Sequence, residues 1–462
     1  MIINNIQDFL RPRPFAFFLL SIVYKVIYDC QILLLLPRKY IYGLSYGIDF
    51  NMDKVALAWI VFILISAISH NLVLKSTKPI ATCIFLLLYL YYVPMSSAYY
   101  LNNATNGFLL LSSLFWVILC AIGCIRWVPS KGNTENPIIG LNYNKWIYYL
   151  FLLFIAICCI TYSFRYNGLA LTLNISNIYD ARADFVGSSG MIESILMNFG
   201  GSIVVPVSML YALKSKERIL FVISLIAELA IFSIARQKMN IFIILIVIGI
   251  FAISKMKLTE SFKYMIPIAF VAILMLSSLE NLLLSSQFIF GTFIRRILYF
   301  PSWLNVLYYD FFSHHECLYW SQDVFMINRL AKMGLINSAY DQSVLELINN
   351  CYFSGFVPSP NTGLFAEAYM HFGIVGAILY PVVIVLLLTS IFKCISFFDK
   401  ETQILVTFCV SLSLISLPVT SGIFCITYFL LIPVTLILRY ITISKQKENR
   451  LPKGIEHGSN NG

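Results

Sequence analysis

The sequence predicts an all-α polytopic membrane protein with about twelve spanning helices and two sizeable loops on one face. Three observations lead there. Charged residues make up only 12% of the 462, about half the share that coats an ordinary soluble domain. Hydrophobic residues reach 59%, with a mean hydropathy of +0.82. The apolar stretches also run for about 20 residues, the length of a spanning helix, and not the ten alternating residues of a barrel strand. A helix satisfies its own backbone in lipid, which a lone strand does not. This composition excludes a soluble enzyme, a disordered chain, a collagen-like chain and a disulfide scaffold.

The expected spans are 14–36, 55–71, 79–99, 108–125, 146–162, 194–213, 219–235, 239–254, 264–284, 368–392, 402–417 and 422–438. The first is interrupted by Lys25 and Asp29, which sit four apart on one face and can pair within the helix. It lacks a small-residue cleavage site and reads as a retained span. An even number of spans puts both termini on one side. Placing them in the cytoplasm gathers 20 of the 32 Lys and Arg there and leaves 11 on the outer side, as the positive-inside rule requires. The formal charge of +10 is therefore a topology signal, and no nucleic-acid partner is expected. The organisation is one membrane domain over 1–462. Extracytoplasmic loops cover 163–193 and 285–367, and a basic cytoplasmic tail covers 439–462.

The loop 285–367 is long enough to hold short helices. Ser338 is expected to cap an amphipathic one that places Val344, Leu345, Leu347 and Ile348 on one side. Nine of the eleven cysteines lie in or beside spans, where Cys acts as a small hydrophobe. Cys317 and Cys351 lie in the large loop and could pair in an oxidising compartment.

No Walker loop, HExxH, GxSxG, CxxC pair or dinucleotide fingerprint is present. The polar groups that stand out lie on the outer side. Arg236 and Lys238, in Ser233-Ile234-Ala235-Arg236-Gln237-Lys238, make a cationic turn on the side the positive-inside rule disfavours. Such a turn either contacts headgroups by snorkelling or clamps an anion, for which the arginine fork suits phosphate. Glu228, two turns deeper, either supports that cationic site or bonds a neighbouring helix. In the loop 163–193, which also holds Arg165, Arg182 is either paired locally with Asp180 or Asp184 and solvated, or is a second anion-binding arginine on a loop folded over the cavity.

The large loop begins with Arg295-Arg296 and continues through Trp303, Tyr308-Tyr309-Asp310, His314-His315 and Tyr319-Trp320. Its aromatic density fits either an interfacial belt or stacking on the apolar faces of sugars. The paired histidines lack companion ligands at metal-site spacing. The loop closes with Pro358-Ser359-Pro360-Asn361-Thr362-Gly363-Leu364-Phe365-Ala366-Glu367. Asn361 or Thr362 can cap the helix that follows. Glu367 and His371 then share one helical face, as an acid–base unit or as a structural hydrogen-bonded pair. Gly373 and Gly376 permit close helix approach.

In these two stretches, Arg295-Arg296 through Trp320 and Asn361 through Gly376, the chain resembles the bacterial O-antigen polymerase (Wzy) family of oligosaccharide repeat-unit polymerases. The resemblance extends more loosely to the topology. It implies a GT-C-like fold and metal-independent glycosyl transfer without cofactor. It further implies undecaprenyl-pyrophosphate-linked oligosaccharide as both donor and acceptor, membrane lipid as surroundings and a chain-length regulator as a candidate partner. Arg236 looks like the arginine that ligases and polymerases place at this span end. O-antigen ligases carry a His just before the Asn that closes the large loop, and Ser359-Pro360-Asn361-Thr362 has none. The candidate catalytic residues are Arg236, Glu367, His371 and His314. The candidate substrate contacts are Arg165, Arg182, Lys238, Arg295, Arg296, Tyr309 and Asn361. Competing functions are an O-antigen ligase and a lipid-linked oligosaccharide flippase or transporter.

Overall fold

The computed structural model describes residues 14–36, 48–76, 78–124, 146–165, 198–235, 239–322, 324, 327, 330–331, 333–335, 337–353, 360–361, 363–396 and 398–435. Among them there is no β-strand, only one isolated bridge between Asp49 and Asn102. The described parts of the twelve apolar stretches are helical almost throughout. In chain order the helices are α1 (Pro14–Leu35), α2 (Asp53–Lys75), α3 (Pro79–Leu101), α4 (Asn106–Cys124), α5 (Trp146–Arg165), α6 (Gly200–Val204 continued by Val205–Ser215), α7 (Arg218–Ala235), α8 (Met239–Lys255) and α9 (Phe262–Leu284). Then follow α10 (Phe290–Tyr299 continued by Phe300–His314), α11 (Val344–Phe353), α12 (Phe365–Ile395), α13 (Lys400–Ser416) and α14 (Gly422–Phe429). Six of these, α1 to α4, α9 and α12, are long and apolar enough to cross a membrane.

α3 is the axis of the bundle. It is apolar all round, and such a helix must be buried on every side. Its span is 94% buried, where α9 is 28% buried. The bundle packs as a series of helix pairs, chiefly α4 with α12, α1 with α9, α6 with α7, α10 with α12 and α3 with α13.

Three π-helical turns share one cause. They are Leu88–Tyr92 in α3, Gly200–Val204 in α6 and Phe290–Tyr299 in α10. Each ends two residues before a proline: Pro94, Pro206 and Pro301. A proline has no N–H for the carbonyl four residues back, and its ring crowds that carbonyl. The helix responds by widening. The residue before each proline, Val93, Val205 or Phe300, donates to the carbonyl five back, at Leu88, Gly200 or Arg295.

The segment 285–367 is more helical than the sequence suggested. α10 runs for two dozen residues from the π turn through His314. Glu280, at the end of α9, anchors its start by accepting the N–H groups of Phe288 and Ile289 at 2.7 and 2.8 Å. Tyr299 and Tyr309 are ten residues apart on α10, yet both meet the α3–α4 end of the bundle. Tyr299 donates to Asn102 Oδ1 at 3.1 Å, and the Tyr309 hydroxyl fills the space where a Gly107 Cβ would lie. α10 therefore lies across that end. α11 is capped by Ser343, not Ser338. The Glu346 N–H donates to Ser343 Oγ at 3.3 Å and the Ser343 N–H to Glu346 Oε2 at 3.0 Å. This reciprocal pair satisfies two orphan amides beside the first turn. Ser338, five residues earlier, lies outside any helix. Cys317 and Cys351 are both free thiols.

The opposite end of the bundle is held by charge. Lys214 bonds Asp399 and, at 2.9 Å, Glu401. Glu401 Oε1 also accepts Ser254 and Thr259. Lys263 Nζ donates to the carbonyls of Val73 and Ser76 at 3.0 and 2.6 Å, closing the end of α2.

Candidate functional site

The candidate site is built on the start of α12. Gly363 leads into it because only a residue without Cβ fits there. A Cβ would collide with the carbonyl oxygens of Leu414 and Leu417 at the end of α13. Leu364 then turns with φ +53° and offers no side-chain cap. The first amides of α12 are satisfied from elsewhere. The Phe365 N–H donates to Tyr91 Oη at 3.0 Å and the Ala366 N–H to Asn305 Oδ1 at 3.0 Å. Tyr91 donates in turn to Asn305 Oδ1 at 2.6 Å. The expected cap was Asn361 or Thr362. The observed cap comes from α3 and α10.

One turn on, Glu367 is fully buried. Its Oε1 accepts Tyr380 Oη at 2.7 Å, the Thr420 N–H at 2.9 Å and Thr420 Oγ1 at 2.7 Å. Its Oε2 accepts the Val419 N–H at 2.6 Å. The carboxylate thus ties the start of α12 to its own later turns and to the turn between α13 and α14. His371 is also fully buried, yet among the described residues neither ring nitrogen has a hydrogen-bond partner. The two side chains share a face but do not bond to each other.

α12 breaks two residues later. Gly373 has φ +55° and ψ −132°, a conformation open to glycine. The break frees carbonyls that a separate strand of chain collects. The Leu318 N–H donates to the Met370 carbonyl at 2.9 Å and the Tyr319 N–H to the His371 carbonyl at 3.0 Å. Gly376 closes the bend, since a Cβ there would run into the Ala368 carbonyl. Burial raises the pKa of the Cys317 thiol, opposed by a bond from the Gly373 backbone.

Above the break lie two aromatic residues in left-handed backbone, Tyr319 at φ +45° and Trp320 at φ +63°. Large side chains adopt this region only under constraint, and such strain gathers at functional sites. Trp320 stands edge-on to Phe372 at 5.0 Å between centroids, with its indole N–H directed at Tyr380. Tyr319 is 69% exposed. A second aromatic group joins α10 to α12, with Tyr309 4.6 Å from Tyr369 and 6.4 Å from Phe365. This arrangement offers flat apolar faces beside a buried imidazole that can accept or give a proton.

The remaining predicted residues are dispersed. His314 is exposed at the end of α10, its Nδ1 2.9 Å from the Asp310 carbonyl. A carbonyl only accepts, so Nδ1 carries a proton. Burial raises the pKa of Tyr352, reinforced by its 2.6 Å bond to Asp310. Arg295 and Arg296 are half-buried on the π turn of α10. They stand roughly 14 Å along the helix from Asn305 and roughly 27 Å from His314, at 1.5 Å per residue. Asn361 is half-buried beside Pro360, whose carbonyl accepts Tyr308 Oη at 3.0 Å. Arg165 ends α5, and its side chain lies outside the described residues, as do Arg182, Arg236 and Lys238. Among the described residues, neither carboxyl oxygen of Glu228 has a hydrogen-bond partner, although the side chain is fully buried.

Sequence reasoning missed Tyr91, Asn305, Tyr380 and Thr420. Asn305 carried the one usable signal, as an amide within the apolar face of a helix. Comparison with protein-family models, curated proteins and solved structures returns no match for this chain.

Proposed function

We propose that the chain is an oligosaccharide repeat-unit polymerase, a membrane glycosyltransferase with about twelve spans in a GT-C-like arrangement. On this reading it works at the outer face of a bacterial inner membrane, with both termini in the cytoplasm. The donor is a glycan on undecaprenyl pyrophosphate, and the acceptor is the next lipid-linked repeat. A hydroxyl of the acceptor sugar attacks the anomeric carbon of the donor. The glycosidic C–O bond forms as the C–O bond to phosphate breaks, and undecaprenyl pyrophosphate leaves with the electron pair. The hydroxyl proton passes to His371. Arg236 and its cationic neighbours stabilise the charge that develops on the leaving pyrophosphate, an effect worth a few kcal/mol per aimed donor.

The observation that carries this reading is His371 itself. A buried polar side chain without a partner calls for an explanation, and a sugar hydroxyl is the partner proposed. The strained Tyr319–Trp320 pair beside it offers the flat surfaces that sugar rings stack on. Glu367 holds the helix start and does not exchange protons, since its oxygens are occupied. The deciding experiment incubates the purified protein with a defined lipid-linked repeat and examines the product by NMR. A new linkage between repeats, with free undecaprenyl pyrophosphate, supports the proposal, and unchanged repeats refute it.

A second reading, a transporter of lipid-linked oligosaccharide, is favoured by the break at Gly373, since transporters bind at broken helices. The same experiment in detergent separates the two, because a transporter forms no new glycosidic bond.

A further inference from the structure

α1 carries polar residues at successive turns of one face: Ser21, Lys25 and Asp29. All three are buried, in a helix with the length and hydropathy of a membrane span. Ionisable groups in that setting are expensive and imply a partner or a role. Lys25 is wholly enclosed. Its Nζ lies 2.5 Å from Ser97 Oγ and 3.5 Å from Asp29 Oδ2. The rings of Trp59, Phe62 and Tyr100 surround it at 5.2, 5.4 and 5.2 Å. Ser97 accepts from Lys25 and donates to Asp29 Oδ1 at 2.6 Å, so one hydroxyl links the ammonium to the carboxylate.

Around this line, among the described residues, Tyr28 Oη has no hydrogen-bond partner, Asp29 Oδ2 faces the Lys25 ammonium at 3.5 Å, and the Tyr100 hydroxyl lies against Asp29 and Ser97. Buried oxygens grouped in this way are the setting in which proteins hold internal water. Tyr100 lies beside both Asp29 and Ser97. It is two residues from Asn102, which meets Asp49 and Tyr299 at the end of the bundle covered by α10. Toward the other end the polar run continues through Ser21, bonded to His70 Nε2 at 2.9 Å and to Tyr89 Oη at 2.8 Å. His70 turns its Nδ1 back to the Ser66 carbonyl at 2.7 Å, and the run stops there.

We propose that Lys25, Ser97 and Asp29 form a proton-binding site, hydrated by water held among Asp29, Tyr28 and Tyr100 and communicating with the Asn102 end of the bundle. Lys25 gives a proton to Ser97 as Ser97 gives its own to Asp29, which converts ammonium and carboxylate into amine and carboxylic acid with no change of net charge. A proton taken up from water then restores the ammonium beside a neutral acid. The cluster thus passes between two charge states that differ by one proton. The groups facing it are Tyr24 and Tyr28 of α1, Trp59, Phe62 and, deeper, His70 of α2, and Tyr89 and Tyr100 of α3. α9 packs behind these rings, Phe270 against Tyr24 and Tyr89, while its Leu274 carbonyl accepts Gln31 Nε2 at 2.7 Å. The π turn of α10 contributes Tyr299 and carries Arg295 and Arg296. This site owes nothing to the glycosyl-transfer reading and stands or falls separately.

The test is infrared difference spectroscopy of the full chain in lipid nanodiscs during pH jumps, in H2O and in D2O. Wild type is expected to show a protonated-carboxyl band that titrates as one proton per chain and shifts on deuteration. Asp29→Asn abolishes that band. Lys25→Met displaces its titration, and Tyr100→Phe slows its deuteration while leaving the ion pair intact. Tyr100→Phe also serves if a charge variant fails to fold, since it removes only a hydroxyl. The proposal is overturned if no such band titrates, if the band survives Asp29→Asn, or if its deuteration rate is the same in Tyr100→Phe.

Discussion

Glu367 and Thr420 are joined twice, because the backbone N–H and the hydroxyl of Thr420 both donate to the same carboxylate oxygen, at 2.9 and 2.7 Å. With Val419 and Tyr380, this makes Glu367 a fastener between two parts of the bundle 52 residues or more apart in sequence for the turn that it holds. Glu367→Ala leaves four donors, two from the partly buried Thr420, without this acceptor. The expected loss is about 3–5 kcal/mol of stability, read as a lowered unfolding midpoint in nanodiscs. A variant as stable as wild type but inactive would instead make Glu367 a chemical participant.

His371→Leu should behave in the opposite way. It removes two unbonded buried nitrogens and keeps a similar volume, so stability should stay within about 1 kcal/mol of wild type or rise. Under the proposed function, polymer formation falls by roughly 100-fold or more, the usual worth of a general base. Product length on gels, beside a thermal melt of the same sample, checks both halves.

Two glycines give a matched comparison. Gly373→Ala forces a side chain into φ +55° and should cost about 1–3 kcal/mol. Gly249 sits within α8 with nothing near the position of a Cβ. Gly249→Ala should stabilise by about 0.5–1 kcal/mol through helix propensity alone. Equal melting temperatures for the two variants would contradict the break in α12.

Glu401 supplies a pH dependence. Burial raises its pKa, but the bonds from Lys214 and Ser254 and the charge of Lys214 prevail and bring it to about 2. An ordinary glutamate titrates near 4.3. The folded protein therefore holds this proton less tightly than the unfolded chain. The stabilisation is complete above about pH 4.3 and is lost as pH falls toward 2. Unfolding midpoints measured across that window should drop in wild type and drop less in Glu401→Gln.

Under the proposed function, Arg236→Ala should leave the protein inserted and folded while abolishing long-chain polymer, as judged by the glycan ladder from cells. Wild-type chain lengths in this variant would remove Arg236 from the mechanism.

Much of the architecture was legible because lipid imposes a simple grammar. A run of apolar residues in lipid must be helical, and the described parts of these runs are, six of them as helices long and apolar enough to cross a membrane. The prolines at 94, 206 and 301 were visible as punctuation, and they mark the π turns. The Ser343-Val344-Leu345-Glu346 box was equally visible and was passed over for Ser338. The Lys25–Asp29 spacing correctly announced a pair. The site was less legible. Helical spacing put Glu367 and His371 on one face, but spacing says nothing of partners that arrive from other helices. Tyr380 and Thr420 take the carboxylate, and the imidazole has no partner among the described residues. Nor does an aromatic-rich loop reveal that Tyr319 and Trp320 sit in left-handed backbone, because that constraint comes from docking 317–319 onto the broken end of α12.

The cap of α12 has a consequence for assembly. Its first amides are satisfied by Tyr91 and Asn305, one on α3 and the other on α10. Until those helices are in place, the amides face lipid unpaired, at several kcal/mol each. The opening turns of α12 should thus settle late, after earlier parts of the chain have met. Asn305→Leu is expected to prolong the interval in which residues 365–372 are open to protease during membrane insertion, so the order of synthesis becomes an order of closure.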